Sequence, residues 1–123
     1  MKKELLLPYL QEEGFCPKIS GDAIIFKFQG LLLIVNTDSE DERFLQIILP
    51  RIYTVTPENK AQALQAANAT NSRVKVAKVI TLEDHVNVHF EILLDHTPDI
   101  SDILPRALDI LQLARADFYN ALG

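Results

Sequence analysis

Residues 63–79, ALQAANATNSRVKVAKV, contain the change of period on which the fold turns. An Ala-rich segment with helical spacing runs directly into a stretch in which apolar Val74, Val76 and Val79 or Ile80 are interleaved with Lys75 and Lys78. Helix periodicity of 3.6 gives way to strand periodicity of 2 with no linker between them. Upstream, Thr56-Pro57-Glu58 is a helix start: Thr as N-cap, Pro where its missing N–H costs nothing, and Glu favoured by the helix dipole. The expected helix therefore runs from there to about Asn71. Downstream, Leu82-Glu83-Asp84 turns the chain into an alternating strand with Val86, Val88, Phe90 and Ile92 on one face.

Working outward toward the N-terminus, Leu5, Leu6, Tyr9 and Leu10 recur at helical spacing and Gly14 follows as a left-handed C-terminal residue. Pro8 within that helix predicts a late start or a kink. Phe15–Ile19, Ala23–Phe28 and Leu31–Val35 then read as three strands joined by Ser20-Gly21-Asp22 and Gln29-Gly30. LLLIV, apolar at five consecutive positions, predicts a strand covered on both faces. The acidic segment Thr37–Glu42 predicts a solvated loop. It lacks the glycine and distal glutamate of an EF-hand. A fourth strand follows from Arg43 to about Val55, and Pro50 within it predicts an edge position or a bulge.

At the other end, Thr97-Pro98 repeats the helix-start chemistry, and Ile100, Leu104, Leu108, Leu111 and Phe118 form one stripe of a long last helix. Pro105 predicts a break between an opening turn and the main helix. The expected fold is α+β: an antiparallel sheet of five to six strands with three helices in the order α-β-β-β-β-α-β-β-α. Residues 1–123 are expected to form a single domain, a size sufficient for one core.

Composition narrows the function classes. The chain is 48% apolar with four Gly and six Pro, which excludes disordered and collagen-like classes. Its net charge of −5 is spread over both halves, and Arg73, Lys75 and Lys78 form too small a cluster to replace phosphate counterions, so no nucleic acid is expected. No apolar run reaches the roughly 20 residues of a membrane span, and the N-terminal apolar run is cut short by Pro8 and Gln11–Glu13, so neither membrane nor export is expected. A single cysteine, Cys16, fits a reducing, cytoplasmic setting and reads as a buried structural thiol.

Candidate chemistry is sparse, and neither a cofactor nor a metal is expected. His85, Asn87, His89 and Glu91 share one face of a strand, but His85 and His89 stand roughly 13 Å apart and cannot hold one zinc. That face reads as solvated. No nucleophile elbow, P-loop or dinucleotide fingerprint occurs. On the second helix, Asn68 and Asn71 share a face with Leu64 and Ala67. The asparagines suit capping of the helix end or bonding to the adjoining strand, and the four residues together form a candidate interface with a second copy or a ligand.

The element order, together with LQEEGF at residues 10–15 and ALQAANATNSRVKVAKV, resembles the YbjN family of candidate bacterial sensory-transduction regulators, whose fold is type III secretion chaperone-like. The resemblance implies an α+β fold, dimer formation and a protein-binding or regulatory role, with no active-site residues to carry over. The function expected is thus a non-catalytic, chaperone-like adaptor acting as a homodimer with a protein or peptide partner. The alternative is a small-molecule sensor or minor enzyme with a pocket between the sheet and the last helix, lined by His89, Glu91 or Tyr53.

Overall fold

The structure is a computed structural model, in which residues 1–37 and 40–123 are described; Asp38 and Ser39 of the acidic segment lie outside them. The elements are α1 (Lys3–Glu12), β1 (Lys18–Ser20), β2 (Ala23–Phe28), β3 (Leu31–Asn36), β4 (Phe44–Thr54), α2 (Lys60–Arg73), β5 (Ala77–Thr81), β6 (His85–Leu93) and α3 (Ile100–Leu122). The strands form one antiparallel sheet in the order β1-β2-β3-β4-β6-β5. This is the expected α+β architecture and element order.

Register places alternate rows of side chains on opposite faces. One row, Ile24–Val35–Ile47–Phe90–Ala77, is buried throughout and is joined by Phe26, Leu33, Leu49, Val79, Val86 and Val88. These side chains pack into a single core with Leu6 and Leu10 of α1, Ala63, Ala66 and Ala67 of α2, and Leu104, Ala107, Leu108, Leu111, Ala114 and Phe118 of α3. The alanines of α2 matter for distance: small side chains let the helix lie close beside β5 and α3.

The intervening row runs Lys18–Ile25–Ile34–Ile48–His89–Lys78 across all six strands. None of its members is fully buried. The expectation that LLLIV is covered on both faces is therefore corrected: Leu33 and Val35 enter the core, whereas Leu32 is 41% exposed and Ile34 half-buried on the outer face. The sheet has helices on one side only.

Local chemistry explains where elements begin and end. Gly14, at φ +79°, closes α1 as a Schellman motif, with Phe15 N–H donating to Leu10 O and Gly14 N–H to Gln11 O. Gln29 and Gly30, both left-handed, form the two-residue turn that matches strand twist between β2 and β3. Pro8 and Pro105 both lie inside continuous helices, so neither breaks its element. Burial of Leu6 and Leu10 on either side of Pro8, and of Leu104 and Leu108 around Pro105, offsets the lost backbone bond.

Two helix starts shift. Thr56 and Asn59 bond reciprocally, Thr56 N–H to Asn59 Oδ1 and Asn59 N–H to Thr56 Oγ1, but they hold a turn, and α2 begins only at Lys60. Asp99, rather than Thr97, caps α3 by accepting from the Asp102 N–H. Pro50 is not at an edge: β4 lies between β3 and β6, and the proline opens a bulge between Leu49 and Tyr53, with Arg51 at φ +52°. The missing Pro50 N–H is thus accommodated by locally interrupting the ladder.

The two faces make different predictions for neighbouring residues of β4. Ile47→Ala should cost about 2–4 kcal/mol, as expected for a cavity in a closed core, and Ile48→Ala about 1 kcal/mol or less. Urea unfolding of the two variants checks this, and equal losses would contradict the one-sided arrangement.

Candidate functional site

The residues singled out on α2 fall into two groups. Ala67 is buried in the core, while Leu64, at 49% exposure, and Asn68 face outward. Asn71 reaches the adjoining strand, donating from Nδ2 to Val79 O at 3.0 Å and accepting from the Val79 N–H at Oδ1 at 2.7 Å. One carboxamide thus satisfies both backbone groups of Val79 on the outer edge of β5, as a further strand would. This is the strand bonding expected of the asparagine, and it closes a sheet edge. Nearby, Arg73 at the end of α2 makes a bidentate pair with Asp117 of α3, which together with the Asn71 bonds fixes the helix end over the sheet margin.

The polar cluster on β6 sits on the outer face, opposite α3. His89 is flanked in register by Ile48 and Lys78, and Glu91 by Gln46. Lys78 Nζ and Gln46 Nε2 both donate to the Glu91 carboxylate, and Gln46 Oε1 accepts from Asn36 Nδ2 at 3.3 Å. The histidine lies 3.7 Å from Glu91 through Nδ1, too long for a hydrogen bond, and both its ring nitrogens are shielded without a hydrogen-bond partner among the described residues. The side chains of His89 and Glu91 are each only 15% exposed, so the face expected to be solvated is covered here by its own neighbours.

Electrostatics follow from that packing. Burial holds the His89 imidazolium pKa below its ordinary value; the nearby Glu91 carboxylate partly counters this, and Lys78 adds to it. For Glu91, burial acts to raise the pKa, but the bonds from Lys78 and Gln46 outweigh it and hold the carboxyl below its usual range. Sequence reasoning found His89 and Glu91 but missed Gln46 and Lys78, because their approach depends on the β4–β6 and β5–β6 registers, which no local pattern encodes.

The expected pocket between sheet and last helix is lined differently from its sequence reading. A cleft of about 180 Å³ under α3 is lined by Val76, Phe90, Ile92, Ile103, Arg106 and Ile110, with Asp102 at its rim. His89 and Glu91 are on the opposite face, and Tyr53 stacks edge-on against Phe118. Cys16 is exposed, not buried: it sits at φ +50° in the loop before β1 instead of within a strand. Val76, at φ +73° and 48% exposed, ends the helix-to-strand passage in a conformation that a β-branched residue adopts only under constraint. Among the described residues there is no cluster of metal-ligating side chains, and no helix is long and apolar enough to cross a membrane.

The outer face is apolar at its centre. Ile25, Ile34 and Ile48 lie side by side on β2, β3 and β4, with Leu32 and Pro50 one row away. The face continues into a concavity of about 410 Å³ lined by Phe15, Cys16, Lys18, Ile25, Phe26, Lys27 and Leu32. Neither Lys18 nor Lys27 has an ion-pair partner among the described residues.

An open antiparallel sheet with three helices on one face, in this element order, defines a YbjN-like α+β fold. The chain is similar over 94% of its length to the crystal structure of YbjN, a candidate transcription regulator from E. coli, covering 89% of that chain with a TM-score of 0.74 and 9% sequence identity. It is also similar to the crystal structure of an uncharacterized protein from Methanothermobacter thermautotrophicus, with a TM-score of 0.70 and 14% identity over 99% of this chain and 96% of that one. No protein-family model and no curated protein matches the sequence. Likeness at these identities establishes the fold.

Two measurements test the site chemistry. Asn71→Ala should lower unfolding stability by about 1–3 kcal/mol, from two lost bonds to a shielded strand residue, and Asn71→Asp should be at least as damaging because a carboxylate would face the Val79 carbonyl. Urea titration reads both. For His89, a folded pKa below the unfolded value of about 6.5 means that the unfolded chain binds more protons. Its contribution is therefore complete above pH 6.5 or so and falls as pH drops toward the depressed folded pKa. Glu91 and Lys78 are the charged groups facing it, and the Glu91 carboxyl, held below its usual range, stays ionised across that window. Melting temperatures measured from pH 7.5 down to 5 should show the fall, and His89→Gln should remove it.

Proposed function

We propose that the domain is a non-catalytic, protein-binding regulatory module, a chaperone-like adaptor that acts as a homodimer. The observation that carries this reading is the sheet face centred on Ile25, Ile34 and Ile48, apolar at its middle and uncovered by any helix. Ile25, Ile34 and Ile48 are half-buried and the neighbouring Leu32 is exposed, so apolar side chains reach the surface together here, and such patches on a folded domain mark interaction sites. The chain also exposes 7235 Å², whereas a compact monomer of 13.9 kDa exposes about 6,700 Å² by the usual scaling of area with mass. A single helix layer on a six-stranded sheet produces such a flat shape, which suits association.

The polar groups that a sensor or enzyme would use favour the same reading. Glu91 is occupied by Lys78 and Gln46, and His89 is packed between Ile48 and Lys78 on a sheet surface instead of opening into a cleft. YbjN, to which the fold is similar, is described as a candidate transcription regulator, and a regulatory role carries over as analogy. For self-association, the outward pair Leu64 and Asn68 on α2 is the surface on offer, since Ala67 and Asn71 are spent inside the domain. Two copies related by a two-fold axis would each present the same pair to the other.

Light scattering at micromolar concentration should return twice the 13.9 kDa chain mass, and Leu64→Asp should return the chain mass with an unchanged circular dichroism spectrum. A parent chain that is strictly monomeric would sink the homodimer.

A further inference from the structure

Charge on the open face is opposite in sign to that of the chain. Over its three in-register rows the face carries, among the described residues, Lys18, Lys27 and Lys78 against the single carboxylate of Glu91, while the chain as a whole has a net charge of −5. Glu91 is neutralised within the face by Lys78 and screened by Gln46. Lys18 and Lys27 remain without ion-pair partners among the described residues, and both line the 410 Å³ concavity, whose other walls are Phe15, Phe26, Ile25 and Leu32 beside Cys16. Apolar walls with two unpaired ammonium groups at the rim form one continuous surface with the isoleucine row.

From this arrangement, and resting on the binding-module reading, we infer that the open sheet face docks an acidic polypeptide segment whose apolar side chains project on one side. The isoleucine row spans two inter-strand spacings, roughly 10 Å, which matches the width of an α-helix laid along the strands. Such a segment would supply the missing second layer: its apolar stripe covers Ile25, Ile34, Ile48 and Leu32, one apolar side chain enters the concavity, and its carboxylates meet Lys18 and Lys27. A second copy of the domain fits this face poorly. Its lysines would approach the other copy's lysines and His89, with no free carboxylate among the described residues of either face to receive them. Electrostatic complementarity here sets which partner is accepted and how fast it arrives more than the total affinity.

The test uses two fluorescein-labelled 14-residue helical peptides, each with leucines on one face, one with glutamates and the other with lysines at the remaining positions. Fluorescence anisotropy should show the acidic peptide binding, with affinity falling as salt rises, and the basic peptide binding at least roughly tenfold more weakly. The exposed double variant Lys18→Glu/Lys27→Glu should lose at least roughly tenfold for the acidic peptide while keeping the parent melting temperature, and amide resonances of β2, β3 and β4 should shift on binding. Equal binding of both peptides, or retained affinity in the double variant, overturns the inference. So does co-sedimentation with phosphatidylglycerol vesicles in the absence of acidic-peptide binding, which would assign the face to a membrane. Loss of dimerisation in light scattering with intact acidic-peptide binding would instead remove the homodimer and leave this docking surface standing.

Discussion

Helices on only one side of a six-stranded sheet are the constraint from which the rest of this structure follows. Period-two alternation sends Ile24, Val35, Ile47 and Phe90 into a core closed by α1, α2 and α3, and the same alternation leaves Ile25, Ile34, Ile48 and His89 on the face opposite those helices. A shift of register by one residue would exchange the two sets, so the identity of the buried row fixes that of the open one. The core side is filled with large aliphatic and aromatic side chains and closely approaching alanines. The open side mixes isoleucines with lysines, amides, shielded histidines and the carboxylate of Glu91.

Sheet edges are handled by a different device on each side. β1 is three residues long and carries Lys18, which blunts it as a template for another strand. β5 is longer, and its exposed edge is occupied at Val79 by the Asn71 carboxamide from α2. A helix placed alongside an edge usually covers it with side-chain bulk; here it also pairs the backbone. The Arg73–Asp117 pair then ties that helix end to α3, so edge protection and helix packing reinforce one another. Surface ion pairs are worth little on their own, and this one matters chiefly because its bidentate geometry holds Asn71 where its two bonds can form.

Much of this was legible in the residues. Alternation in 15–35 and 43–55, the period change at 74, and the apolar stripe of 100–118 gave the element order, and Gly14 marked the end of α1 because only a left-handed residue completes its Schellman motif. The misreadings share a cause: each depended on where elements lie relative to one another. LLLIV is apolar on both faces, but whether the second face is covered is decided by the side on which helices pack. Pro50 permits either an edge or a bulge, and strand order selects the bulge. Thr56 and Thr97 have capping chemistry, yet Asn59 and Asp99 stand where backbone geometry lets the helix begin. Cys16 looked like a strand residue because Phe15 to Ile19 is apolar enough to be one, but the chain turns through a left-handed residue there and leaves the thiol outside.

The candidate surface was less legible than the fold for the same reason. Ile25, Ile34, Ile48, Lys18 and Lys27 come from four separate strands, and no window of sequence contains them together; only the registers β1–β2, β2–β3 and β3–β4 assemble the row. A likeness in fold at 9% and 14% identity carries the backbone path but not the side chains that decorate the open face. The inner row is held by the packing of three helices and tolerates little change in volume. Replacing Ile34 or Lys27 costs the fold little. The same scaffold can therefore carry faces of different charge and shape, and the lysine-rimmed apolar face of this chain is one specific setting of that surface.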